Sequence, residues 1–357
     1  MHLESSSREA HAEYHTYIRR KVAFIIACCS VLILLAIVSI AVGSVTLPVP
    51  VVVDALLTRT GDSASLIIWN IRLPRVIAAI VAGAGLGVAG AVMQSIMRNP
   101  LSSPYTMGIS NAAAFGAACA IVFFGAGMVS SSVVDAVTVS NPCTVTVCAF
   151  AASLGATAVL LGLSKYGGFI PEVMILVGVA LAALFTAGTT FLQFFSNELQ
   201  LAAIVFWTFG DVGRVTWGDL AILCIFTAPA TCYFMLNRWN YNALDAGDET
   251  ATSLGVNVDQ IRLIGMFLSS LITAIVVSFM GIIGFIGLVC PHITRRIIGD
   301  DERFVIPASV LVGGITLLFA DTIARIILSP VVLPVGVITA FFGAPLFLYL
   351  LIRRQRR

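Results

Sequence analysis

The chain has 357 residues, of which 59% are hydrophobic and only 11% charged, and its mean hydropathy is +1.02. A soluble domain is about half apolar and about a quarter charged, so this composition excludes a soluble enzyme, a nucleic-acid binder and a disordered regulator. The net charge of +2 says little by itself; the placement of the charges says more.

The first 21 residues are polar and end in Arg19-Arg20-Lys21. The apolar run 22–43 follows with no obvious cleavage site, so it reads as a first transmembrane helix and not as a removable signal peptide. Further apolar runs cover 74–96, 106–126, 143–163, 173–195, 218–236, 260–278, 279–298, 304–324 and 334–352. The expectation is an all-α polytopic membrane protein of about ten transmembrane helices, with a tight turn near Phe279–Gly281 between the seventh and eighth. Its parts are a cytoplasmic tail 1–21, a transmembrane domain 22–352 with an inner loop at 237–259, and a basic cytoplasmic tail 353–357.

An even number of spans puts both termini on one side. With that side cytoplasmic, fifteen basic residues fall inside and five outside, namely Arg59, Arg72, Arg75, Arg214 and Arg325. This asymmetry follows the positive-inside rule and fixes the orientation.

Gly83, Gly85, Gly87 and Gly90 in the second run, and Gly281, Gly284 and Gly287 around the eighth, predict close helix packing. Pro74 and Pro334 suit first helical turns, whereas Pro291 and Pro345 predict kinks or interruptions. The eight cysteines contain no C-x-x-C and read as buried small hydrophobes; a Cys143–Cys148 disulfide is weakly supported.

No G-x-x-x-x-G-K-[ST] loop, H-E-x-x-H or G-x-S-x-G occurs, so no catalytic or metal site is expected. Carboxylates at mid-membrane depth are nearly absent, which argues against an ion-coupled carrier.

Three segments are candidate sites. Arg72 and Arg75 open the second helix on the outer face, three apart and therefore on one side of it; Arg325 reaches the same face. They fit headgroup anchoring or the docking of an acidic protein surface. In 237–259, Asp245 is expected to cap a short helix, Asp248 and Glu249 to occupy its first turn and Gly255 its end. Leu244, Ala251 and Leu254 would give it an apolar surface, so it is either a connector lying on the membrane or a rigid knob for a cytoplasmic partner. Arg98-Asn99-Pro100-Leu101-Ser102-Ser103-Pro104 is either a plain turn or a constriction at an inner mouth.

These stretches, together with Gly90-Ala91-Val92-Met93-Gln94, Gly108-Ile109-Ser110-Asn111, Gly284 to His292, Ala320-Asp321, Leu333-Pro334-Val335-Gly336 and Gly343-Ala344-Pro345, resemble the iron-siderophore, haem and cobalamin permease family of ABC importers. The resemblance covers most of the chain after residue 20 and implies a type II importer permease in a prokaryotic inner membrane. It implies a second permease subunit, either an identical copy or a paralogue, with the path between the two. It also implies two ATP-binding-cassette ATPase subunits below and an extracytoplasmic substrate-binding protein above. ATP and Mg would belong to the ATPases, leaving this chain without a cofactor or an enzymatic activity. By the same resemblance Arg72, Arg75 and Arg325 would meet glutamates of the binding protein, the 243–256 segment would couple to the ATPases, and Asn99 and Leu101 would lie near the inner gate. A ferric siderophore is the expected cargo, with haem and cobalamin as rivals. A secondary carrier and a non-transporting membrane receptor are the readings from other classes.

Overall fold

The structure, a computed structural model, describes residues 2–43, 48–59, 61–126, 141–168 and 170–354. Residues 355–357 of the expected basic tail lie outside the described residues. Helices account for the architecture, and no strand occurs among the described residues. In chain order they are α1 (His2–Ala41), α2 (Val49–Thr58), α3 (Ser63–Ile67), α4 (Leu73–Ile96), α5 (Ile109–Phe123), α6 (Pro142–Tyr166), α7 (Pro171–Phe195) and α8 (Glu198–Thr208). Then come α9 (Trp217–Leu236), α10 (Arg238–Asp245), α11 (Asp248–Ser253), α12 (Val258–Met280), α13 (Ile286–Ile298), α14 (Glu302–Ile326) and α15 (Val335–Arg354).

Each of the ten apolar runs corresponds to one helix: α1, α4, α5, α6, α7, α9, α12, α13, α14 and α15. Seven helical segments are long and apolar enough to cross a bilayer unaided. α1 runs unbroken through the polar tail, because no glycine or proline precedes Gly43. The second span starts at Ser63 and not at Pro74; α3 passes through a π turn, Ile68–Arg72, into α4. A proline lacks the N–H and its ring crowds the carbonyl four residues back, and a widened turn relieves that crowding without ending the helix. α2 and α8 were not expected from the sequence, although α8 carries a capping box between Asn197 and Gln200.

α4 is the axis of the bundle. Of its apolar stretch, 78% is buried, against 11% for α1 at the periphery. Small residues make that possible. A Cβ on Gly83 would overlap the Gly313 carbonyl of α14, and one on Gly90 would overlap the Gly287 carbonyl of α13. The two glycine-rich regions of the sequence therefore pack on each other, as close backbone contact in lipid requires.

The turn after α12 falls at Gly281–Phe285, slightly later than expected. Gly287, the second residue of α13, packs on Gly90 well inside α4, so α13 begins at membrane depth. Irregular backbone at that depth needs cover from protein or a water-filled cavity. Cover comes from α8 and α15. Gly281, at φ +75°, lies so near the Trp207 carbonyl that a side chain would clash, and Gly210, at φ +71°, stands in the same relation to the Ile282 carbonyl.

Of the cysteines, Cys28 and Cys290 are buried and Cys143 and Cys232 are exposed; all are free thiols. Burial therefore does not describe the whole set.

Candidate functional site

The charged side chains gather at the two ends of the bundle. One end carries Arg72, Arg75 and Arg325 and is called the arginine end; the other carries α10 and α11 and is called the short-helix end.

At the arginine end each of the three guanidinium groups has partners within the chain. Arg72, at the end of the π turn, is 5% exposed, and its Nη1 donates to the carbonyls of Ile40 at 2.6 Å and Ala41 at 2.9 Å on α1. Arg75 donates from Nε and Nη2 to Asp321, at 2.9 Å and 2.8 Å, and its Nη2 lies 3.3 Å from Asp211. Arg325 donates to Asp321 at 3.1 Å and to the carbonyls of Ser39 and Val42 at 3.1 Å each. Arg72 and Arg75 thus diverge to different partners instead of sharing one outward side. Asp321 is 0% exposed. This acid is buried near the end of its span and is neutralised by two arginines.

Arg214 caps the carbonyls of Phe206 and Trp207 at the end of α8, and burial pulls its pKa down. Trp69 and Trp217 lie at the same end, with Arg59 stacked 3.8 Å over Trp69. Such amphipathic rings suit a membrane–water interface.

At the short-helix end the 237–259 segment forms two helices, not one. Asp245 is the last residue of α10 and does not cap the next helix; its carboxylate accepts from Ser95 of α4 at 2.9 Å. Gly247, at φ +114°, turns the chain into α11 because no L side chain adopts that angle easily. Asp248 and Glu249 occupy the first turn, and Gly255, at φ +83°, follows its end, as expected. Leu244 and Ala251 are 0% exposed and form no outer surface, since Leu244 lies with Tyr241 on the buried face of α10. Of the candidate residues, Asp245, Glu249, Leu254 and Gly255 remain exposed, Leu254 at 69%.

The Asp248 carboxylate holds Arg262 of α12 through two bonds, 2.8 Å and 2.9 Å, and Arg98 at 3.0 Å. At the same end, Glu302 accepts from Arg295 at 2.6 Å, and Asp301 accepts from Asn242 at 3.1 Å and meets Lys21 of α1 at 3.5 Å. Burial alone would raise the Asp301 carboxyl; hydrogen bonds from Arg303 and Asn242 outweigh it and hold the group well below the usual range. Desolvation pushes the Asp245 carboxyl up, against the pull of Arg295, although the residue as a whole keeps solvent contact. Burial pushes the Tyr241 phenol up as well.

Asn99 closes a local turn: its Oδ1 accepts from the Leu101 N–H at 2.9 Å, and its carbonyl accepts from the Ser102 N–H at 3.1 Å. Leu101 is left 43% exposed at the tip.

Between the ends lies an open groove of about 620 Å³, lined by Tyr105, the end of α8 at Thr208 and Phe209, the break at Ile282, Gly284 and Phe285, and one face of α15 from Gly336 to Pro345. None of its lining residues is charged. Phe285 adopts φ +66°, uncommon for a bulky residue, and Gly343 of α15 leaves the space its ring occupies. No cluster suited to a metal ion occurs among the described residues.

Sequence reasoning missed Asp211, Arg262, Arg295, Asp301 and Glu302 as parts of these clusters. A readable signal was a charge such as Arg262 placed in an otherwise apolar run, since such a residue needs a partner.

A long-helix bundle with a discontinuous helix beside an uncharged groove is an architecture that membrane transporters use. The chain belongs to the FecCD transport family, whose model matches residues 31–353. It is 52% identical over 345 residues to an ABC transporter permease protein of Methanocaldococcus jannaschii, covering 97% of this chain and 98% of that protein. It is 36% identical over 300 residues to the hemin transport system permease protein HmuU of Yersinia pestis, covering 84% and 87%. It is 35% identical over 340 residues to the Fe(3+)-citrate import system permease protein YfmE of Bacillus subtilis, covering 93% and 96%. A solved metal-chelate type ABC transporter in an inward-facing conformation superposes with a TM-score of 0.79 at 28% identity, covering 92% of this chain and 98% of that one. The chain is therefore a permease of the metal-chelate, hemin, siderophore and cobalamin type of ABC importer.

Proposed function

We propose that this chain moves a ferric siderophore into the cytoplasm of a prokaryote, powered by two separate ATPase subunits and fed by an extracytoplasmic binding protein. The observation that carries the reading is the groove of about 620 Å³, uncharged along its lining and placed where α13 begins at membrane depth. A path of that kind gives a bulky chelate room without ion ligands that would hold it. The relatives named for hemin and ferric citrate favour an iron chelate.

In this reading a second permease subunit closes the groove from the α8–α15 side. The short-helix end faces the cytoplasm and the ATPases, with Glu249 and Leu254 among the exposed contacts. Both termini lie on that side, consistent with the charge asymmetry. The arginine end faces the binding protein. Because Arg72, Arg75 and Arg325 already have partners in the chain, the half-exposed Asp211 is the carboxylate that an acidic partner would displace from Arg75.

The test is uptake of labelled ferric siderophores, haem and cobalamin, compared side by side in a strain lacking this chain. Loss of siderophore uptake alone, restored by the intact chain, is expected. Loss of haem or cobalamin uptake instead would reassign the cargo within the family.

A further inference from the structure

Arg98 links the short helices to the loop after α4. α4 ends in a Schellman closure, in which the Asn99 N–H bonds the Gln94 carbonyl at 3.1 Å and Arg98 occupies the left-handed position at φ +44°. Glycine is the residue that position favours, and a side chain there strains the backbone. The arginine side chain does one visible thing: its Nη2 lies 3.0 Å from Asp248 Oδ1, in the first turn of α11. The same oxygen accepts from Arg262, which is 3% exposed and anchors Asp248 to α12. The next residue, Asn99, shapes the turn that presents Leu101.

We propose that Arg98 is a positioning residue that ties α11 to the 97–108 loop, so that displacement of α11 by an ATP-driven partner is passed through the Asp248 carboxylate to Asn99 and Leu101. The inference rests on the importer reading above. Arg262 fixes where Asp248 rests against the bundle, and Arg98 makes the loop follow it. The Arg98 and Asp248 side chains are each 39% exposed, so this contact breaks and reforms more easily than a buried one.

Arg98→Gly separates this role from a structural one, because glycine suits the left-handed position and removes only the side chain. In the complete transporter reconstituted in vesicles, R98G should keep the ATPase bound and hydrolysing ATP. Substrate moved per ATP should fall by roughly fivefold, the size of a modest coupling between sites. Arg98→Lys, which keeps the charge, should recover part of that loss. Wild-type coupling in R98G would overturn the proposal.

A second measurement holds even if the importer reading fails. Spin labels are placed at Glu249→Cys and Leu101→Cys in the full chain, with the exposed Cys143 and Cys232 replaced by Ala. The distance distribution should be narrow with Arg98 and broad in R98G. Equal widths would show that α11 and the loop are not tied through this residue.

Discussion

At the arginine end, Asp321 is wholly buried and receives Arg75 from α4 and Arg325 from its own helix; at the short-helix end, Asp248 leaves 39% of its side chain exposed and receives Arg262 and Arg98. The chemistry is the same and the construction is opposite. Asp321 lies between long spans, so separating it from its arginines would strand charge where water cannot reach it. Asp248 belongs to a six-residue helix, and one of its two contacts is open to solvent. A buried pair holds its elements in one arrangement, whereas an exposed pair contributes little to stability and is easily remade. The comparison teaches that the Asp321 cluster is built to stay, whereas the Asp248–Arg98 contact is the one placed to break and reform.

The contrast is most directly broken at Asp321. Asp321→Asn leaves Arg75 and Arg325 buried without their carboxylate and should cost about 3–5 kcal/mol, read as a large fall in the thermal midpoint of the solubilised chain. A midpoint near wild type would mean that the arginine end is as adaptable as the other.

Asp301 comes next. Its pKa is lowered in the folded chain, so its contribution is present above the unfolded value of about 3.9 and fades as the pH falls below it. Asp301→Asn also leaves Lys21, at 2% exposure, without its carboxylate. It should lower the midpoint at pH 7 by the equivalent of about 1–3 kcal/mol. The gap to wild type should hold down to about pH 4 and narrow below it, and a gap that stays constant down to about pH 2 would remove Asp301 as its source.

Asp211→Asn should cost under about 1 kcal/mol, since its contact with Arg75 is partly solvated. It sharpens the comparison by showing whether one arm of the arginine cluster is dispensable. If binding-protein docking strengthens at low salt in this variant, Arg75 becomes available as Asp211 withdraws; unchanged docking would count against that exchange.

The smallest effect on stability belongs to Leu254→Asp, within about ±0.5 kcal/mol for an exposed position. The same change should release the ATPase from the solubilised complex. An ATPase that stays bound would move the contact away from α11.

The spans were legible because apolar length is a local property that lipid enforces. The glycine contacts were legible in kind, since small residues in a span announce close packing. Gly90 and Gly287 were visible as members of glycine-rich helices, but not as each other's partners. The π turn was hidden because Pro74 fits a helix start as well as a relieved interior position. α8 escaped notice for its shortness, although Asn197 and Gln200 marked its start. Asp245 looked like a cap because the residue type and spacing allow it; the nearby Ser95 and the turn at Gly247 determine otherwise. The ion pairs were least legible. Arg75 and Asp321 are separated by 246 residues, and no local pattern says which arginine will reach which acid.

The unbroken run of α1 has a mechanical consequence. Forty residues at about 1.5 Å each make a rod of roughly 60 Å, about twice the hydrocarbon thickness. Lys21 ties it to Asp301 at the short-helix end, and nearly half its length lies N-terminal to that point. For a rigid rod, a tilt of about 10° pivoting at Lys21 would shift the helix start by about 5 Å. Small changes of angle inside the bilayer would thus become displacements large enough for a label near the helix start to register.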